Sequence, residues 1–198
     1  MKKVLFVDFE NFRKNAEAVF ISKGKDKPLW HTYDFNGLFE RVLNGTTIDE
    51  VIFYYAKIIS YEETKEKSEK LIKERRLLKK SLENKGFRIV IAGRVRGFQE
   101  TNTFLGFSNK LVFKEKGVDV KIAIDMVVSI IDKSADTIIL GSSDSDLQPA
   151  IDEVKKRGGR CVYLGFESSS NKGMAYNCGR AILIRDSEVL EFAKNSLF

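Results

Sequence analysis

Four apolar residues in a row, Val4-Leu5-Phe6-Val7, stop abruptly at Asp8. A continuous apolar run of this length predicts a central strand buried on both faces. Further strands are predicted over 51–58, 87–95, 136–141, 161–165 and 181–184. Between them the apolar positions take up helical spacing. A helix or helical turn is expected from Phe9, and a short helix over 34–43, capped by Asp34 and closed by Asn44-Gly45. A long one over 61–85 carries Leu71, Leu78 and Leu82 on one face, with Gly86 as its stop. The stretch 118–132 is apolar nearly all round, 144–157 ends at Gly158-Gly159, and a last helix starts near Ser187. Strands alternating with helices predict an α/β fold with a central, mainly parallel sheet, right-handed crossovers and helices on both faces.

One stretch breaks this rhythm. Phe98, Phe104, Leu105 and Phe107, then Leu111-Val112-Phe113, are interleaved with Lys110, Lys114 and Lys116, which predicts a hairpin or flap inserted around 97–116 in a single domain spanning 1–198. Aromatic and basic residues so mixed suit stacking on single-stranded bases with contacts to phosphates. Core phenylalanines with surface lysines account for them equally well. On the long helix, Glu63 with Lys67, Glu66 with Lys70 and Glu69 with Lys73 pair at i,i+4, as a solvated face does. Lys73, Arg75, Arg76, Lys79 and Lys80 leave a positive surplus near its end, for which the solvated face is again the leading explanation.

Composition adds a bias. The 198 residues are 43% hydrophobic and 31% charged, an ordinary globular balance, with a net charge of +6 that favours polyanionic partners. No run reaches transmembrane length, and the N-terminal apolar run is too short for a signal peptide, so no membrane association is expected. Cys161 and Cys178 form no CxxC pair and read as reduced thiols, in keeping with a cytoplasmic location. His31 is the single histidine, which leaves no partner for a His-rich metal site or a histidine-based mechanism.

The acids carry the chemistry. Asp8 closes the first strand with Asn11 three residues on, Asp119 falls in the first turn of the apolar helix, and Asp144 and Asp146 follow the strand over 136–141. Each has an ordinary explanation as a helix cap or as a charge at a helix N-terminus. Asp125 shares a polar stripe with Lys121, Ser129 and Asp132, and reads as an acid paired with Lys121. Taken together, Asp8, Asp119, Asp144 and Asp146 are expected at the carboxyl edge of the sheet, where open α/β folds bind ligands. Two carboxylates about 4 Å apart repel by about 4 kcal/mol at an effective dielectric near 20, so convergence calls for a cation. Oxygen-only donors suit Mg²⁺, and the lack of clustered His or Cys argues against a zinc site.

In this order Val7-Asp8-Phe9-Glu10-Asn11, Lys116-Gly117-Val118-Asp119 with Asp125 following, and Gly141-Ser142-Ser143-Asp144-Ser145-Asp146-Leu147 resemble the NYN domain of the LabA/DUF88 family, a branch of the PIN-like nucleases. The resemblance runs over about 2–165 and implies a PIN-like, Rossmann-like three-layer fold with Mg²⁺- or Mn²⁺-dependent cleavage of RNA, endonucleolytic, by a metal-activated water. By position, Asp8, Asp119, Asp144 and Asp146 would be the metal-binding acids, with Asp125 as a further candidate and Asn11 ordering Asp8. Lys110, Lys114, Lys116, Lys121 and Ser143 are the candidate substrate contacts. Leu147 stands where relatives often have Phe, a difference that touches packing. The resemblance leaves the oligomeric state open, a homodimer included. Two rivals remain. A phosphatase of the haloacid dehalogenase type also opens on a strand ending in Asp, but needs a second Asp where Glu10 stands. A non-catalytic NYN module would bind RNA or a protein partner without cutting.

Overall fold

The N-terminal apolar run forms β1 (Lys3–Asp8), in which every residue from Val4 to Asp8 is buried. Its alternation serves two cores at once. Leu5 and Val7 face one cluster, and Val4 and Phe6 the other. The computed structural model describes residues 1–60, 65–102 and 108–193. Among these, β2 (Glu50–Ile58), β3 (Arg88–Asn102), β4 (Ser108–Lys116), β5 (Thr137–Gly141), β6 (Arg160–Phe166) and β7 (Ala181–Ile184) complete a seven-stranded sheet of order β4-β3-β2-β1-β5-β6-β7. All neighbours run parallel except β3 and β4, which form an antiparallel hairpin.

Helices close both faces, giving the α/β, PIN-like architecture expected. On one side α1 (Phe9–Ser22), α2 (Phe35–Val42), α3 (Lys65–Asn84) and α7 (Asp186–Glu191) cover an aromatic core in which Phe9, Phe35 and Phe53 pack at centroid distances of 5.1–6.4 Å. On the other, α4 (Val118–Ile131), α5 (Gln148–Lys156) and α6 (Lys172–Cys178) cover a mostly aliphatic core. From β1 the chain steps outward to β2 and β3 on one side, and later from β5 to β6 and β7 on the other. The strand order therefore reverses between β1 and β5, and a crevice at their carboxyl ends is where this topology places a ligand.

The structure departs from the sequence reading in two places. The strand expected to stop at residue 95 continues to Asn102 and pairs antiparallel with β4 over the stretch expected as a flap, while residues 103–107 lie outside the described residues. Residues 61–64, where the long helix was expected to begin, also lie outside them, and α3 is described from Lys65. A helix after the polar loop at 168–171 was not foreseen. Asn171 caps it, its side chain accepting from the backbone of Gly173 and Met174. Among the described residues no helix is long and apolar enough to cross a membrane. Cys161 and Cys178 are both free and buried.

Two glycines join the hairpin to α4. Opposite Tyr55 and Lys57 the register slips by one residue on β3, between Ile91 and Arg94, and Gly93 in that bulge has φ +71°. Gly117 precedes α4 with φ +90°, and a Cβ there would lie 3.6 Å from the Cα of Gly93. A Cβ on Gly93 would instead overlap the Lys116 carbonyl. Gly93→Ala therefore combines left-handed strain with a backbone clash and should destabilise the protein by about 2 kcal/mol or more. Urea unfolding checks this; an unchanged midpoint would show that the two segments separate freely.

Candidate functional site

At the strand-order reversal β1 ends on Asp8, whose side chain caps α1. Its Oδ1 accepts from the Asn11 backbone N–H at 3.1 Å and its Oδ2 from the Ser142 hydroxyl at 3.3 Å. The cap explanation is thus correct, and the same carboxylate is also tied to the turn that follows β5. Asn11 reaches that turn as well, accepting from the Ser143 N–H at 3.0 Å. Ser142 Oγ accepts from the Asp144 N–H at 3.3 Å, and Asp144 Oδ1 from the Asp146 N–H at 3.0 Å, which caps the 3₁₀ turn Ser145–Leu147. The outer side of the turn is clamped by Asn171, whose Nδ2 donates to the Ser143 carbonyl at 2.9 Å, and by Tyr163, whose hydroxyl lies 2.8 Å from Ser143 Oγ.

Burial sets the electrostatics. Asp8 is only 7% exposed, and its carboxyl is pushed up from 3.8 to about 6, chiefly by loss of water, with repulsion from Asp144 and Glu10 adding to it. Hydrogen bonds from Asn11 and Ser142 only partly offset this. Burial acts against the Glu10 carboxylate too, but Arg75 and Arg13 outweigh it and hold Glu10 below the ordinary value. Arg13 bonds one Glu10 oxygen at 2.8 Å and Arg75 the other. Glu115 on β4 is pushed up to about 7 by burial, then by Glu10 and Asp8. Among the described residues its Oε2 is buried without a partner.

Arg75 corrects the solvated-face reading of α3. Its guanidinium is tucked inward, 5.0 Å from the centroid of Phe9 and 4.6 Å from that of Tyr55, as a cation over two aromatic faces. The spacing of Arg75 to Leu71, Leu78 and Leu82 was the available signal, because those positions share one helical face. Glu115, lying between Lys114 and Lys116, had none.

The other expected site residues fall as follows. Asp8, Asn11, Ser143 and Asp144 come together. Asp146 is exposed beside them, joined through its backbone to Asp144. Asp119 is half-buried in the first turn of α4, and among the described residues no hydrogen bond or ion pair joins it to that group. Both oxygens of Asp125 are engaged, one by Lys121 at 2.6 Å as the stripe predicted, the other by the Tyr54 hydroxyl at 3.0 Å. Lys116 is exposed at the end of β4, and the side chains of Lys110 and Lys114 lie outside the described residues. Among the described residues no three His, Cys, Asp or Glu side chains make a ready metal cage. Burial, more than crowding of like charges, is therefore what perturbs Asp8.

A family model described as the NYN domain matches residues 2–185. The chain belongs to the NYN domain family. This is a family of PIN-like nucleases, so Asp8 lies at the carboxyl edge of the sheet in a nuclease fold. A search of curated proteins finds no match. Among solved structures, the chain is similar to a protein of unknown function, VPA0982, from Vibrio parahaemolyticus RIMD 2210633. The two share 14% identity over 92% of each chain with a TM-score of 0.51, a likeness of fold alone.

The Asp8 shift makes a signed prediction for this NYN domain. A carboxyl raised in the folded state binds its proton more tightly there than in the unfolded chain. Its contribution to stability is complete below the unfolded pKa, 3.8, and is lost as pH rises through about 6. In the absence of divalent ions, Asp8→Asn should stabilise the protein by roughly 1–3 kcal/mol near pH 8, and by much less near pH 4. Denaturant titrations at the two pH values check it. A variant less stable near pH 8 than the natural chain would mean that the Asp8 carboxylate is a net stabiliser.

Proposed function

We propose that this NYN domain is a Mg²⁺- or Mn²⁺-dependent ribonuclease of the LabA/DUF88 kind, cutting RNA internally, with Asp8 and Asp144 as the central metal-holding carboxylates. The observation that supports it is the contrast between Asp8 and Glu10. Two residues apart, both are removed from water, yet Glu10 takes two arginines while Asp8 has only an amide N–H and a hydroxyl. A buried carboxylate is ordinarily paired or bound to a metal. The donor set suits a hard cation, because all the side-chain donors at this edge are oxygens and Mg²⁺ commonly uses one or two carboxylates with waters and phosphates.

In this reading a divalent cation supplies activation of water and neutralisation of charge on the phosphate. The chain's own residues position. Asn11 fixes the turn through the Ser143 N–H, and Ser142 orients Asp8. Asp146 and Asp119 stand as outer acids around the crevice, while Asp125, engaged by Tyr54 and Lys121, fastens α4 to β2. Lys116 and Lys121, with Lys110, Lys114 and Ser143, would contact the RNA backbone. Reduced thiols at Cys161 and Cys178 suit a cytoplasmic setting. The second reading, an NYN module that binds RNA or a protein without cutting, is favoured by one observation: no three ligating side chains are already gathered among the described residues.

Cleavage of single-stranded RNA by purified protein with Mg²⁺, Mn²⁺ or EDTA separates the two. The nuclease reading expects metal-dependent cleavage that falls at least about 100-fold in Asp144→Asn, with RNA affinity nearly unchanged because phosphate contacts come from elsewhere. Asp125→Asn should keep most of its activity. RNA binding without cleavage at any metal concentration would favour the binding module.

A further inference from the structure

The outer surface of α4 is apolar where a surface helix is normally polar. Val120, Ile124, Val128 and Ile131 are 56, 52, 41 and 50% exposed. Their spacing of four, four and three residues puts them within about 80° of arc, a continuous stripe along the helix. Single exposed aliphatic residues need no explanation, but a contiguous row does. Among the described residues nothing covers it.

We infer that this stripe is the centre of a two-fold interface with a second copy of the chain. The charges beside the stripe choose the partner. Lys121 and Asp132 lie on the same flank, about 100° and 120° round from Val120, at opposite ends of the helix. Packing two α4 helices antiparallel about an axis between Ile124 and Val128 sets Ile124 of one copy against the partner's Val128. It also brings Lys121, bonded to Asp125 of its own helix at 2.6 Å, to the partner's Asp132 at both ends, where its ammonium can bridge the two acids. A parallel two-fold pair would put this flank on opposite sides of the contact in the two copies, so neither bridge could form. Self-complementarity of this sort is what an isologous contact requires. Asp119 lies about 100° round from Val120 in the other direction, off the stripe.

The size of the patch sets the strength. Four half-exposed aliphatic side chains present roughly 300 Å², against about 800 Å² per partner in a standard interface. The stripe is thus a core that needs a polar rim, and the dimer should be weak and concentration-dependent.

Sedimentation velocity from about 1 to 200 µM tests this. The expected result is a monomer–dimer equilibrium within that range, with Ile124→Lys and Val128→Glu each weakening association at least about tenfold while melting unchanged, since both positions face solvent in the monomer. Mixing the two variants should restore a dimer, because the introduced ammonium and carboxylate face one another across the axis. Asp132→Lys should weaken the natural dimer about threefold or more. A chain that stays monomeric throughout, a dimer indifferent to both substitutions, or a mixture that fails to associate would each overturn the inference.

Discussion

The Asp8 carboxylate, held out of water where the strand order reverses, is the constraint on which the candidate site depends. It receives one hydrogen bond from the helix that follows β1 and one from the turn that follows β5. The start of α1 and the turn after β5 are thereby tied to one carboxylate, beside the backbone ladder that joins β1 to β5. Desolvation opposes that charge, and neither neutral donor removes the opposition. A fold with no use for the group would place a Ser or Asn there, each an equally good cap. An acid at a destabilised position is a pattern found at many functional sites.

The surroundings show what a purely structural solution looks like. Glu10 is neutralised by Arg13 and Arg75, Glu17 by Arg13 and Lys27, and Arg75 is sandwiched on two aromatic rings that anchor α3 to the sheet. These pairs fasten helices. They also leave Asp8 as the acid in the crevice most in need of a cation, with Asp144 beside it and Glu115 within the same field.

Much of this was legible in the sequence because it follows from local rules. Unbroken apolar runs marked the central strands, and the arrival of Asp8 and Asp144 just after two of them marked the edge where the candidate site lies. The α4 dipole position of Asp119 and the Lys121–Asp125 pair followed from helical spacing, and the pair is present at 2.6 Å. What the sequence hid is tertiary. Arg75 looked like one more cation on a charged helix, and only packing against Phe9 and Tyr55 turned it inward. Glu115 became buried through the register of the β3–β4 hairpin, Val95 against Glu115, which no local pattern encodes. The expectation that four aspartates would crowd together treated proximity along the edge as contact, whereas the described residues hold no ready cage.

The central claim is that Asp8 is a buried, destabilised carboxylate suited to a divalent cation, and carbon-detected NMR titration of its carboxyl tests it most directly. The account predicts an apparent pKa of about 6 without metal, falling below the ordinary carboxylate value when Mg²⁺ is added. An Asp8 carboxyl that titrates near 3.8 and does not respond to Mg²⁺ would contradict it.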